Sequence, residues 1–213
     1  MISLKKEYVF FFGKSRSMGT VIKKTMSDEV LDKTMHLFWE KGYFNTSVDE
    51  LIEVTGFNRR AIYKYFGGKR DLFLAMLKRY RRDMTPGFTA PLNHASHGLQ
   101  AIEEFFNQFI HLDKSTMPRG CFLIATASES PSHDEEINEF VRRFSNELSE
   151  LFQHCLTSAI NNSQLATSTN IKSVADFLVV NVFGLMTLHR TRSSNKTIEH
   201  HISIVTQFLK TLR

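Results

Sequence analysis

From Val30 onward, apolar residues recur every three or four positions, the spacing that gathers them on one face of a helix. Val30, Leu31, Thr34, Leu37 and Phe38 predict a first helix over about 27–41. Ser47-x-x-Glu50 is a capping box opening a short second helix, whose apolar face is Val48, Leu51, Ile52 and Val54. Gly56 stands where the chain must reverse, Phe57 anchors the turn, and Asn58 caps a third helix, Arg59–Phe66. A fourth is predicted over about 69–84, ending before Pro86-Gly87. Leu99, Ile102, Phe105, Phe106 and Phe109 mark a helix within 97–112, and Pro118 suits the first turn of the next, which continues through Cys121 and Phe122. Pro131 to Glu135 reads as a further start, with Ser132 as cap and an acidic first turn, leading to a helix that ends near residue 161. Two helices over about 171–191 and 195–212 complete the chain, with Gly184 fitting close helix approach in the first of them. Strand-hairpin signals, internal repeats and glycine-rich phosphate loops are missing from the sequence, and long helices on short loops imply a bundle. The expected fold class is all-α.

The third predicted helix carries the most distinctive chemistry. Ile62 and Phe66 face inward, which leaves Arg59, Arg60, Tyr63, Lys64 and Tyr65 outward or at the edges. Cations and phenols on the free face of a short helix, set across a tight turn from a partner helix, suit a DNA major groove. The charge distribution agrees: residues 1–83 hold 17 Lys and Arg against 10 Asp and Glu, and the remainder 10 against 12, of an overall +5. A basic N-terminal part joined to a near-neutral remainder fits an electrostatic DNA footprint on one side and another task for the rest.

At these residues the chain resembles the tetracycline-repressor (TetR-type) family of bacterial regulators. The resemblance covers 30–77 and rests on an ordered set: Leu37-Phe38, Gly42-Tyr43, Thr46-Ser47-Val48, Gly56, Ile62-Tyr63-x-Tyr65-Phe66, Lys69 and Leu72. Three positions depart from the usual pattern: Thr34 and Arg60, where the family often has a small residue, and Gly68, where a helix cap is common. Gly68 should leave the fourth helix less firmly capped. The resemblance implies a three-helix helix-turn-helix DNA-binding domain followed by a helical-bundle ligand-binding and dimerisation domain. It places DNA-binding residues at Thr46, Ser47, Arg59, Arg60, Tyr63, Lys64, Tyr65 and Lys69. By their chemistry, Tyr63, Tyr65 and Lys69 suit phosphates, Arg60 and Lys64 suit base edges, and Arg59 is open. The expected domains are a poorly ordered extension over 1–25, the DNA-binding domain with its linking helix over 26–84, and the larger domain over 85–213.

The larger part is rich in aromatic residues. For each ring an ordinary core role is the default; as a set, they leave shaped gaps between helices, where apolar ligands bind. Together with the resemblance, this makes Phe105, Phe109, Met117, Cys121, Phe122, Phe144 and Phe177 the candidate contacts for a small-molecule inducer. Homodimerisation through the last two helices is implied by the resemblance, with Leu185 and Phe208 on their expected apolar faces.

The two cysteines, Cys121 and Cys155, give no disulfide framework and point to a reduced, cytoplasmic compartment. Arg119-Gly120-Cys121-Phe122 resembles a family subgroup that includes sensors of electrophiles and oxidants, yet a buried, inert thiol is the commoner state of a cysteine. No apolar run approaches the ~20 residues of a membrane span. The segment Tyr8-Val9-Phe10-Phe11-Phe12, between basic flanks, is too short for a signal-peptide core, and residues 1–25 read as a terminal extension, a product of upstream initiation (Met18 and Met26 being other starts), or an arm touching DNA. The nine histidines do not form metal-ligand patterns: His200 and His201 are adjacent, His94 and His97 sit in or near a loop, and His133 adjoins two acids. Nucleophile-elbow, zincin and cysteine–histidine signatures are missing too. The expectation is a regulator rather than an enzyme, without cofactor or membrane partner, that acts on a double-stranded DNA operator. The rival reading is a helical protein-interaction adaptor, for which Tyr63, Tyr65 and Lys69 would be incidental surface.

Overall fold

A computed structural model describes residues 27–112, 120–129 and 134–213, and ten α-helices account for most of them, with no strand among the described residues. The expected N-terminal extension, Met117, Pro118 and Ser132 lie outside those residues. Helix α1 (Asp28–Asn45) starts under Ser27, whose hydroxyl accepts the Val30 amide, and breaks at Gly42, where φ is +78°. Helix α2 (Val48–Thr55) carries the complete capping box of Ser47 and Glu50, and ends at Gly56 in the left-handed region. Helix α3 (Arg59–Phe66) is capped by Asn58, whose Oδ1 accepts the Ala61 amide at 2.9 Å. Helix α4 (Lys69–Asp83) begins at Gly68 without a side-chain cap, as the substitution of glycine for a capping residue predicts.

The remaining helices are α5 (Thr85–Thr89), α6 (Leu99–Asn107), α7 (Phe122–Ser128), α8 (Glu135–Asn161), α9 (Ile171–Arg190) and α10 (Asn195–Lys210). Three boundaries differ from expectation. The stretch after Pro86 is not a bare linker but holds α5 and two 3₁₀ turns over 90–97. Helix α6 stops at Asn107 and tightens into a 3₁₀ turn that buries Phe109. Helix α8 is capped by Asp134, whose carboxylate accepts the Ile137 amide, instead of by Ser132.

One core runs through both parts of the molecule. In α4, Leu72, Phe73, Met76, Leu77 and Tyr80 are buried because α1 and α3 cover one side and α7 another. Arg79 is buried too, donating to Asp32 at 2.8 and 3.1 Å and to Asp28 at 3.2 Å, so α4 is tied to the start of α1. Phe122 at the start of α7 closes the seam: its ring lies 5.6 Å from Phe73, 5.8 Å from Tyr80 and 6.3 Å from Trp39. Farther along, Phe88, Phe105, Phe106, Phe109 and Phe152 interlock at centroid separations of 5.0–6.1 Å.

Helix α9 is, by length and composition, apolar enough to cross a membrane, which the sequence reading did not anticipate. Half of that apolarity is spent inside the protein, where Val174, Leu178, Val182, Leu185 and Met186 pack inward. The other face is exposed and carries Phe177, Val180 and Gly184, together with the Lys172–Asp176 ion pair.

Candidate nucleic-acid interface

Helix α3 is locked from behind. Ile62 is fully buried, and Phe57 in the preceding turn packs against Tyr65 at 5.6 Å and Phe66 at 6.3 Å. The side chains that remain form the outer face: Arg59, Arg60 and Lys64 are exposed, Tyr63 is 55% exposed, and Tyr65 is half-buried at the edge. A helix that buries its apolar face and offers a guanidinium, a phenol and an ammonium from the other can enter a groove without costly desolvation of its own core.

The positions expected to meet DNA divide into groups. Arg60, Tyr63 and Lys64 lie together on the open face. Arg59 turns back toward α2, with Nη2 3.3 Å from Asp49 Oδ1, so reading a base edge would require breaking an exposed ion pair. Lys64 reaches over the Tyr65 ring at 5.6 Å. Lys69 sits 4.4 Å over the ring of Tyr43, and burial lowers its pKa against the opposing pull of Glu129 and Glu50. Thr46 turns inward: it is fully buried and its hydroxyl donates to the Gly42 carbonyl at 2.7 Å. That residue closes the α1–α2 junction, and its hydroxyl is not presented to a phosphate. Ser47 is exposed, but its amide and hydroxyl are both engaged with Glu50 at 2.8 Å.

The acidic partners of this surface are not visible in the sequence as partners. Glu50 was legible as a capping residue, but it also accepts Lys41, and the Lys41 ammonium followed by the Ser47 amide and hydroxyl holds its carboxyl down at about 2. Asp49 and Arg59 are ten residues apart on different helices, and no local pattern pairs them.

The expected inducer contacts are arranged differently. Phe105, Phe109, Phe122 and Phe144 are buried in solid packing, each with 2% exposure or less. The carbonyl of Phe109 also meets Nε2 of His189 at 2.9 Å. Phe177 does not join them: it is 40% exposed, meets Phe208 at a tilt of 53° with centroids 4.7 Å apart, and lines an open cleft with Val174, Leu212 and Arg213. Cys121 is buried at the position preceding α7 and hydrogen-bonds with Tyr80. Burial pushes its thiol up, outweighing the amides of the α7 start and the Tyr80 hydroxyl that favour the thiolate. Cys155 is pushed up to about 11 by burial. Among the described residues no group of His, Cys, Asp and Glu could hold a metal ion.

Comparison with known proteins decides what this surface belongs to. Residues 30–76 match the family described as bacterial regulatory proteins, tetR family, and residues 98–205 match the tetracyclin repressor-like C-terminal domain. The chain belongs to the TetR family. It is 27% identical over 177 residues to YezE of Bacillus subtilis, an HTH-type transcriptional regulator, covering 82% of this chain and 91% of that protein. It is 29% identical over 175 residues to the HTH-type transcriptional repressor ComR of Escherichia coli, covering 81% of each. Among solved structures, the TetR family regulator CifR, a cysteine mutant complexed with a 26-bp double-strand operator, shares the fold with a TM-score of 0.72 at 20% identity, over 92% of this chain and 98% of that one. As a TetR-family member the chain is a DNA-binding transcriptional regulator, with helix-turn-helix elements α2 and α3 and a ligand-binding type of C-terminal domain. The family consists of regulators, which are generally not enzymes.

Proposed function

We propose that this TetR-family protein is a ligand-responsive repressor that binds a palindromic operator as a homodimer and releases it when a small apolar or reactive inducer occupies the C-terminal part. The observation that carries the reading is the outer face of α3, where Arg60, Tyr63 and Lys64 stand exposed on a helix immobilised by Ile62 and Phe57. One such head contacts only a short half-site, so two must act together for specific binding. The surface available for pairing is the outer face of α9 and α10: Val180 is 69% exposed, Ile204 63% and Phe177 40%, with Gly184 open beside them. Large apolar side chains left this exposed on adjacent helices favour association.

The aromatic packing around Phe105 supports a population-shift mechanism. With the rings in contact, an inducer gains entry only in a conformer where α6 and α8 separate, and its binding energy then favours that conformer over the one that fits DNA. Helix α4 transmits the change, since it carries Lys69 at one end and packs Tyr80 against Phe122 at the other. Selection of bound fragments from random duplex DNA, followed by titration at several salt concentrations, tests the reading. The expected result is an inverted repeat with a steep salt dependence. Recovery of no enriched sequence, with no salt-dependent duplex binding, would return the chain to a protein-interaction role.

A further inference from the structure

Beyond its apolar seam, the junction between the DNA-binding helices and the rest of the chain is fastened, among the described residues, by an ion pair of Arg81 in α4 with Glu147 in α8 and by two further points at its DNA-facing end. At the first, Glu129, just past α7, accepts the backbone amide of Tyr43 through Oε2 at 3.1 Å. It does so in a notch that only glycine leaves open: a Cβ at Gly42 would lie 1.9 Å from Glu129 Oε1, and the φ of +78° already disfavours side chains there. At the second, Arg70 in the first turn of α4 donates through Nε and Nη2 to both carboxylate oxygens of Asp134, at 2.6 and 3.0 Å, and through Nη2 to Glu136 at 2.7 Å. The same Asp134 caps α8. Two-toothed guanidinium–carboxylate pairing fixes angle as well as distance. The two points lie beside the DNA-facing groups, since Lys69 adjoins Arg70 and stacks on Tyr43.

We propose that Glu129 and Asp134 are positioning residues for DNA recognition: they clamp the DNA-binding helices at a fixed angle to the C-terminal part and so set the spacing and orientation at which a pair of heads meets DNA. This rests on the dimeric operator-binding reading above. Without the clamp each head still recognises its half-site, but the second head is presented over a wider range of angles, which lowers its effective concentration at the other half-site. The clamp is thus a specificity device for half-site spacing that contacts no base.

The test leaves the DNA-binding helices unaltered. Glu129→Ala removes the acceptor for Tyr43, Glu129→Gln keeps one, and Asp134→Asn removes the charge while retaining a good helix cap. Each variant is measured with the full chain on three duplexes: one selected half-site, the two-half-site sequence, and that sequence with the spacing changed by one base pair. For Glu129→Ala combined with Asp134→Asn, affinity for the two-half-site duplex should fall about tenfold, the respacing penalty should shrink, and affinity for the single half-site should stay unchanged. Glu129→Gln should restore most of the loss. An unchanged spacing preference overturns the proposal, and so does an equal loss on the single half-site, which would mean damaged heads. Trp39, the single tryptophan, lies in the seam against Phe122 and reads the clamp without DNA. Acrylamide quenching should rise about twofold in the double variant, through local opening of the seam. Increased quenching in a chain that binds no duplex would leave the clamp standing and overturn the operator reading, whereas unchanged quenching would overturn the clamp.

Discussion

Arg60 and Lys69 carry like charges, but the structure gives them different surroundings and hence different expected roles. Arg60 projects from the exposed face of α3, where a guanidinium can pair with both guanine acceptors. Lys69 lies half-buried over Tyr43, which fixes its position but keeps it outside the groove-facing helix. Arg60→Ala should therefore relax preference at one operator position by ~1–3 kcal/mol, whereas Lys69→Ala should weaken all duplexes alike and reduce the salt slope by about one. Competition binding across a panel of single-base operator variants separates the two, and an unchanged rank order for Arg60→Ala would refute its base-reading role. Glu50 offers a second residue-scale prediction. Its carboxyl is held at about 2, below the ordinary 4.5, so it is the ionised form that stabilises the fold. That contribution is complete above the ordinary value and is lost as pH falls from about 4.5 through 2. Thermal unfolding of Glu50→Gln should accordingly start below the unmodified protein at neutral pH and converge with it near pH 2. A gap that persists there would assign the loss to packing instead of charge.

At the scale of elements, the sequence was most informative where signals are local. The capping box, Asn58, Gly56 and the Ile62/Phe66 spacing define α2 and α3 through neighbours a turn apart, and those helices stand where the pattern put them. The cap of α8 is Asp134, whose carboxylate also meets Arg70, 64 residues away, a partner that no window of sequence reveals. The same limit applies to the outer helices. Periodicity shows that α9 has apolar residues all round, but not which of them turn outward. Leu185, expected on the pairing face, is fully buried in the protein's own core, while Val180 and Ile204 point out. A charge at Leu185 would unfold the chain and say nothing of assembly. Ile204→Asp, combined with Val180→Asp, should instead leave helicity and melting behaviour nearly unchanged while halving the mass seen by sedimentation, and operator affinity should fall with it. A double variant that sediments as the unmodified protein does would show that α9 and α10 do not pair through this face.

For the whole molecule, the proposed response to an inducer would have to pass through the seam around Phe122. Trp39, Phe73 and Tyr80 from the DNA-binding side meet Phe122 and Cys121 in one buried cluster. Modification of the Cys121 thiol within this cluster would force Tyr80 and α4 away. The sequence context of Arg119 and a helix start favours a thiolate; the structure shows burial winning, which raises the pKa and blocks access. Alkylation of Cys121 at neutral pH should thus be slow, should accelerate with denaturant along the global unfolding curve, and should leave Cys121→Ser with the same operator affinity and the same inducer response. Mass spectrometry of labelled peptides, with operator binding followed in parallel, reads all three. Rapid labelling of the native protein that abolishes DNA binding, and to which Cys121→Ser is resistant, would make the seam itself the sensor and the aromatic core only its support.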